Sequence, residues 1–137
     1  TIIQMVTTSA PPASILIVDD DEAVTQTFAR MLRLEGFAVR TAVDADAGLL
    51  EARNSRPNAI IVDMRMPMVD GLGFLRALRA QQGHSVQPIP VAIVTGDCFL
   101  DEQVSLELRD LGAHVAFKPL WFDDLLSLAR TLTKVTS

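Results

Sequence analysis

The sequence predicts an α/β fold in which helices cover both faces of a parallel sheet. Short apolar runs rich in β-branched residues alternate with longer segments in which apolar residues recur at helical spacing. The alternation repeats through five strand–helix units between residues 15 and 134, without an internal repeat or a low-complexity tract. Such units build parallel sheets, because each helix carries the chain back across the sheet before the next strand begins.

The predicted strands are short and apolar, which is typical of strands buried on both faces of a sheet. The run Ala59-Ile60-Ile61-Val62 shows this most clearly. The strands are predicted at 15–18, about 37–42, 58–62, 89–94 and 114–117.

The predicted helices carry apolar residues three and four positions apart, and glycine or proline stands at several of their ends. In the first helix the apolar stripe runs from Val24 to Leu32, and Gly36 follows it. Trp121 begins the stripe of the fifth helix, and we expect it either to pack on the sheet or to mark an interaction face. The helices are predicted at roughly 21–35, 44–55, 71–82, 99–111 and 121–134.

A compact chain of five such units is expected to form a doubly wound (βα)5 sheet with strand order 2-1-3-4-5, the flavodoxin-like order. Strands 1 and 3 are then neighbours at the point where the winding reverses. Ligands of open α/β sheets bind at the carboxyl ends of the strands at this point. Asp20 and Asp63 meet there, although 43 residues separate them in sequence.

Five polar side chains follow the predicted strands at this edge. Asp19 and Asp20 follow strand 1, and Asp63 follows strand 3. Thr95 and Lys118 follow strands 4 and 5. Carboxylates this close repel one another unless a cation joins them, and hard oxygen ligands favour Mg²⁺. An ammonium and a hydroxyl can contact the oxygens of a phosphoryl group. The set predicts a magnesium-dependent phosphoryl site with one carboxylate free to attack.

Each of these residues also has an ordinary structural explanation. The aspartates 19–21 could cap the first helix, and we expect Asp21 to do so. Lys118 could be a surface charge, and Thr95 could be a hydroxyl that merely ends its strand. The presence of suitable groups at four strand ends favours the functional interpretation of the set.

A set of short motifs occurs in order along the chain: Ile-Leu-Ile-Val-Asp-Asp (15–20), Asp63, Met66-Pro67, Asp70-Gly71, Val94-Thr95 and Lys118-Pro119. With these motifs the sequence resembles the receiver domains of two-component response regulators over about residues 15–134. The resemblance implies phosphorelay signal transduction, in which Asp63 accepts a phosphoryl group from the phosphohistidine of a sensor histidine kinase or a phosphotransfer protein. The protein would be a signalling module that catalyses only its own phosphorylation and dephosphorylation.

The resemblance also assigns roles around the acceptor. It implies that Asp20 ligates Mg²⁺ directly, that Asp19 acts largely through water, and that Asp63 and the main-chain carbonyl of Arg65 are further ligands. Thr95 would sense the phosphoryl group, and Lys118 would contact it.

Two positions depart from the usual receiver pattern. Val115 stands three residues before the lysine, where receivers carry Tyr or Phe, so the familiar aromatic switch is absent. Leu120 stands where Phe often follows the Lys-Pro pair. The phosphorylation chemistry is expected to survive both changes, whereas the coupling to output must differ.

The resemblance places the signalling surface on helix four, strand five and helix five, used for homodimers or downstream effectors. Arg65 and Asp97 are expected to form an ion pair at the rim of the site, either as a plain surface pair or as a gate that controls access of water. The apolar candidates for the signalling surface are Leu106, Val115, Phe122 and Leu126.

Composition excludes several other classes. The net charge of −5, without a dense Lys/Arg cluster, argues against binding to nucleic acid. One cysteine, Cys98, allows no intrachain disulfide, and with His84 and His114 far apart a zinc site is not expected. No apolar run approaches the roughly 20 residues needed to span a membrane. We expect a cytoplasmic protein without membrane contact.

Two alternatives remain open at this stage. The Asp-x-Asp within residues 19–21 also occurs in haloacid-dehalogenase-type hydrolases, which form an aspartyl phosphate and turn over external phosphate esters. A pseudo-receiver that serves only as an interaction module is the other alternative, and Val115 is compatible with it. We predict one receiver domain at 15–134, preceded at 1–14 by a flexible leader or expression remnant and followed by a tail at 135–137.

Overall fold

The computed structural model describes residues 11–84, 86–97 and 100–134, which form a five-stranded sheet with five helices. The leader residues 1–10, the tail 135–137 and Cys98 lie outside the described residues. The strands are β1 (Ser14–Val18), β2 (Ala38–Ala42), β3 (Ala59–Asp63), β4 (Val91–Thr95) and β5 (Ala113–Phe117); the helices are α1 (Glu22–Leu34), α2 (Ala45–Ser55), α3 (Gly71–Gln82), α4 (Glu102–Asp110) and α5 (Phe122–Thr133).

All strand pairs are parallel, and the strand order is β2-β1-β3-β4-β5. The predicted fold and strand order are confirmed. Val18 lies opposite Val62, and Asp63 lies opposite Val94. This register brings the carboxyl ends of β1, β3 and β4 to one edge of the sheet.

Each face of the sheet has its own apolar core, because side chains alternate between the faces along each strand. On one face Leu16 and Val62 pack with α2, α3 and α4, where Phe74 and Leu78 are fully buried. On the other face Ile17 packs with α1 and α5. Asp63 is in register with Val94, a member of this second core, so its side chain points toward the α1–α5 face.

Four helices begin at an aspartate whose side chain accepts a hydrogen bond from a main-chain N–H in the first turn. Asp21 accepts from Val24 N at 3.2 Å, which confirms its predicted capping role. Asp101 accepts from Gln103 N at 2.7 Å, so α4 begins at Glu102 and not near residue 99. The two other capping residues are Asp44 and Asp70.

The buried stripes differ in detail from the predicted ones. In α1 the fully buried positions include Ala29, whereas Val24 and Phe28 are only partly buried. Trp121 precedes the first residue of α5 and is 69% exposed, so the expectation that it packs on the sheet is wrong. Its exposure leaves the alternative, a position on an interaction face.

Strand β5 forms one edge of the sheet and is the least covered strand. None of its residues falls in the buried class, and Val115 and Phe117 are 36% and 48% exposed. Helix α4 beside it contributes one fully buried residue, Leu108. The chain therefore presents apolar surface along this edge.

No helix in the described ranges combines the length and the apolar character that a membrane crossing requires.

Gly71 allows α3 to start directly against the carboxyl end of β3. Its N–H donates to Met64 O at 2.8 Å. A Cβ here would lie 2.8 Å from the main-chain oxygen of Asp63 and 2.9 Å from Met64 Cα. The absence of a side chain at Gly71 thus fixes the position of the β3 end.

Gly71→Ala is expected to lower the free energy of unfolding by about 1–3 kcal/mol, because the main chain around Asp63 must move to admit the methyl group. Urea unfolding at neutral pH measures this loss. Gly73→Ala is the matched control, since its Cβ would meet side-chain atoms of Val69 and Asp70 rather than the main chain of another element. The higher helix propensity of alanine offsets that contact by up to about 1 kcal/mol. Equal losses in the two variants would contradict this account.

Candidate functional site

Three carboxylates meet at the carboxyl edge of the sheet. Asp19 and Asp20 follow β1, and Asp63 is the last residue of the neighbouring strand β3. Each offers an oxygen, and these oxygens all lie within 4.8 Å of one another. Asp19 and Asp63 are 8% and 6% exposed, whereas Asp20 is exposed to solvent. We call these three residues the acidic cluster.

Lys118 joins the cluster from β5, across the intervening strand β4. Its Nζ lies 2.8 Å from Asp63 Oδ1. Apart from this ammonium, that buried oxygen has no hydrogen-bond donor among the described residues. The main-chain N–H of Lys118 donates to Thr95 O at 2.8 Å, which ties the start of the β5–α5 loop to the end of β4.

Thr95 is the last residue of β4 and is buried. Its Oγ1 accepts a hydrogen bond from Asp97 N at 3.1 Å. Accepting this bond leaves the hydroxyl proton available for another acceptor. The strand order therefore brings the five polar residues that the sequence indicated to one edge of the sheet: Asp19, Asp20, Asp63, Thr95 and Lys118.

Arg65 and Asp97 form the expected ion pair, with 3.7 Å between Arg65 Nη2 and Asp97 Oδ2. Both side chains are exposed, at 79% and 44%. The pair connects the β3–α3 loop to the loop after β4. An exposed pair of this kind contributes only about 0–1 kcal/mol to stability.

Burial is the main electrostatic influence on Asp19. It raises the pKa of this carboxyl, and repulsion from Asp63 acts in the same direction. The hydrogen bond that Asp19 Oδ1 accepts from Asp21 N, at 2.9 Å, opposes the shift, as does the charge of Lys118. Ionised Asp19 is therefore strained by its surroundings unless a further cation is present.

The hydrogen bond to Asp63 raises the pKa of Lys118, and the charges of the acidic cluster add to this effect. The ammonium is therefore charged at neutral pH. Three carboxylates and one ammonium leave an excess of two negative charges. A divalent cation bound by carboxylate oxygens would neutralise this excess, and this donor set fits Mg²⁺.

An open cavity beside the acidic cluster, on its α1 side, was not predicted from the sequence. Val24 and Phe28 belong to the predicted apolar stripe of α1, and Phe28 packs against the core, but both residues also line this cavity beside Asp63. Leu120 also lines it. One sequence feature could have indicated the cavity: Leu120 stands where receivers often carry the larger phenylalanine, and a smaller side chain fills less of the space beside α1.

The family model described as "Response regulator receiver domain" matches residues 15–130. The chain belongs to this family. Receiver domains are the signalling modules of two-component systems and are characteristically phosphorylated on an aspartate. The match over nearly all the described residues favours the receiver over the hydrolase alternative.

Individual relatives agree with the family assignment. This receiver domain is 38% identical over 120 residues to the transcriptional regulatory protein PrrA of Mycobacterium tuberculosis, covering 88% of this chain and 49% of that protein. It is 35% identical over 127 residues to the response regulator MprA of Mycobacterium sp. (strain KMS), covering 92% of this chain and 53% of that protein. The chain thus spans about half the length of these curated relatives.

Solved structures agree with the fold. The chemotaxis protein CheY4 of Vibrio cholerae superposes on this receiver domain with a TM-score of 0.77 and 28% sequence identity. The superposition covers 88% of this chain and 98% of that chain.

In the absence of metal, Asp19→Asn is expected to raise the free energy of unfolding at pH 7 by about 1 kcal/mol. The variant removes a buried charge from a repulsive cluster, while its amide oxygen can still accept from Asp21 N. Because burial raises the folded-state pKa of Asp19, the parent loses stability as pH rises from the model-peptide value of 3.8 through the folded-state pKa. The advantage of the variant should therefore develop across that window.

Urea unfolding in EDTA between pH 3.5 and pH 7 measures this difference. Asp46→Asn is the matched control, because it removes the same charge from the exposed first turn of α2. That variant should gain nothing, since an acidic residue is favourable at a helix N-terminus. A parent that is as stable as Asp19→Asn at every pH would refute the strain assigned to Asp19.

Proposed function

We propose that Asp63 is the phosphoacceptor of this receiver domain. The observation that carries the proposal is the position of its carboxylate, which is buried at the end of β3, 2.8 Å from Lys118 Nζ and within the acidic cluster. A carboxylate oxygen of Asp63 would attack the phosphorus of a phosphohistidine or a small phosphodonor. The P–N or P–O bond of the donor breaks as the acyl phosphate forms.

The acidic cluster would hold Mg²⁺ through Asp19, Asp20 and Asp63, with the main-chain carbonyl of Arg65 as a further ligand. A bound Mg²⁺ supplies positive charge to the oxygens of the transferring phosphoryl group. The excess negative charge of the cluster supports this proposal.

Lys118 and Thr95 would bind the phosphoryl oxygens. The ammonium of Lys118 contacts Asp63 Oδ1 in the unphosphorylated protein and would exchange this contact for a phosphoryl oxygen after transfer. The hydroxyl proton of Thr95 would be donated to another phosphoryl oxygen, since its oxygen already accepts from Asp97 N. The main-chain N–H of Lys118 also donates to Thr95 O, so a displacement of either residue would shift the end of the strand that carries the other.

The partners follow from this role. Residues 15–134 are proposed to form one cytoplasmic receiver domain that is phosphorylated by a sensor histidine kinase or a phosphotransfer protein. It would act as a signalling domain without an external substrate. The relative PrrA is a transcriptional regulatory protein. For this chain, the downstream effector or homodimer contact is proposed to use α4, β5 and α5, which we call the output face.

Exposed apolar side chains support the output face. Leu106 on α4 and Phe122 on α5 are partly exposed on either side of β5. Val115 and Phe117 on β5 lie between these two helices. Thr95 pairs with Phe117 across β4 and β5, so its side chain points to the same side of the sheet as Val115 and Phe117. A displacement of the Thr95 side chain would therefore occur next to the output face.

Incubation with acetyl phosphate and Mg²⁺ is expected to add one phosphoryl group, detected by intact-protein mass spectrometry. Asp63→Ala should abolish the addition, because no other carboxylate in the cluster lies at the end of β3 beside Lys118. Asp21→Asn is the control, since asparagine also caps helices and Asp21 lies outside the cluster. Phosphorylation of Asp63→Ala at parental yield would overturn the assignment.

The metal site is tested by phosphorylation in EDTA, which should prevent the reaction, and by calorimetric titration with Mg²⁺. In the titration Asp20→Asn should lose most of its Mg²⁺ affinity, whereas Asp19→Asn should lose less. Equal Mg²⁺ binding by Asp20→Asn and the parent would contradict the ligand assignment. Repeated turnover of external phosphate esters would favour the hydrolase, and failure of the parent to be phosphorylated would favour the pseudo-receiver.

Hydrogen exchange is expected to change on phosphorylation mainly within residues 97–126, which contain α4, β5 and the start of α5. The physical reason is the main-chain bond between Lys118 and Thr95, which couples the site to β5. Helix α2 serves as the internal control, because its packing faces α3 and the other end of the sheet. Changes confined to residues outside 97–126 would contradict the proposed output face.

The Arg65–Asp97 pair is proposed to be a gate that controls access of water to the phosphoryl group. Arg65→Ala and Asp97→Ala are each expected to change the dephosphorylation rate, and the double variant should be non-additive because the two side chains contact one another. Decay of the phosphorylated protein, followed by mass spectrometry, measures the rates. If the phosphorylated state has the same lifetime in the parent and in all three variants, the pair is only a surface ion pair and the gate is refuted.

A further inference from the structure

An apolar cavity of about 490 Å³ lies beside the acidic cluster, between α1 and the segment that follows β5. Its volume is within the range of roughly 300–1,000 Å³ that small-molecule pockets occupy. The lining combines apolar side chains with Asp19, Asp63 and Lys118; the apolar part consists of Ile17, Val18, Val24, Phe28, Ile61, Val94, Pro119 and Leu120.

The polar and apolar parts of this cavity are spatially ordered. Asp63 and Ile61 lie two positions apart in β3 and so point to the same face of the sheet, and Asp19 directly follows β1. Ile17 and Ile61 are each only 2% exposed, so the accessible apolar part of the lining is formed by Val24, Phe28 and Leu120. A ligand that fits must be charged or polar at one end and apolar along the rest.

The sign of the charge follows from the site. Asp19, Asp63 and Lys118 line the cavity, and Asp20 lies against the same cluster. The negative excess disfavours an anion. Lys118 Nζ already contacts Asp63 Oδ1, so its single charge cannot balance the carboxylates of both Asp19 and Asp63, which line the cavity. An ammonium supplies both the charge and the donors.

We propose that this cavity binds a small organic monocation, in which an ammonium group contacts the acidic cluster and an apolar body of about six to ten carbons fills the space beside Phe28 and Leu120. Such a ligand would compete with Mg²⁺, because both cations neutralise the same carboxylates. By linkage, Mg²⁺ must weaken the binding of the organic cation by the same factor. Only the competition with Mg²⁺ rests on the proposed function.

Binding can be tested on the full chain in EDTA with 2-cyclohexylethylammonium as the probe. Isothermal titration calorimetry gives the affinity of the probe. The neutral isostere 2-cyclohexylethanol is expected to bind about tenfold more weakly or worse, since it lacks the charged donor. The anion 3-cyclohexylpropanoate should not bind.

Two results would overturn the assignment of an organic cation. One is the absence of saturable binding by the ammonium probe. The other is equal affinity for the ammonium and the alcohol, which would make the cavity a plain apolar pocket without preference for charge.

A cavity-filling variant locates the binding site. Leu120→Phe adds a ring where the cavity is open and is expected to weaken the probe at least about tenfold, while thermal unfolding and Mg²⁺ affinity stay near the parental values. Leu34→Phe is the matched control, because Leu34 is 79% exposed and lies at the far end of α1. Val24→Phe fills the opposite wall and provides a second variant if Leu120→Phe is unstable. Parental probe affinity in a folded filling variant would place the ligand elsewhere and refute the proposal.

Competition with Mg²⁺ is measured by repeating the titration at saturating MgCl₂, with NaCl of equal ionic strength as the control. The apparent affinity of the probe should fall at least about tenfold in MgCl₂. Unchanged affinity would refute the shared site. These readouts do not use phosphorylation, so a chain that binds the probe but is not phosphorylated on Asp63 would contradict the proposed function and leave this inference standing.

Discussion

The site depends on one constraint: strands β1 and β3 are neighbours, and both end in carboxylates. Because Val18 pairs with Val62 in parallel register, Asp19 and Asp63, which follow them, lie close together. Both residues are buried. Their mutual repulsion and loss of hydration must be offset, and Lys118 does so only in part. The unmet negative charge favours a cation at this sheet edge and is the physical basis of the proposed magnesium site.

The same constraint explains why the site could be predicted from the sequence. Asp63 ends β3, whereas Asp19 and Lys118 directly follow β1 and β5, and a doubly wound sheet brings the carboxyl ends of all its strands to one edge, whatever the side-chain packing. The fold and the strand order could be predicted for a related reason. Buried parallel strands appear in the sequence as continuous apolar runs, and 2-1-3-4-5 is a common order for a doubly wound sheet of five such units.

Other features could not be predicted because they depend on a few ångströms of packing. Helical periodicity places Val24 and Phe28 on the inward face of α1. It does not predict whether the side chains of the segment after β5 are large enough to pack against them. Trp121 has the spacing of a core residue, yet α5 begins one residue later and leaves it exposed. The start of α4 was misplaced because Asp101 caps the helix, whereas apolar spacing alone extends the pattern toward residue 99.

The two cores on opposite faces of the sheet have a consequence for how the protein can diverge. Asp63 points toward the layer of α1 and α5, whereas Thr95 shares its face with Val115 and Phe117 beside α4. A covalent change at Asp63, as proposed, would therefore act where two separately packed layers meet. Substitutions in α1 can change the cavity without disturbing the packing beside α4, whereas substitutions in α5 affect both, because α5 packs with α1 and also belongs to the proposed output face.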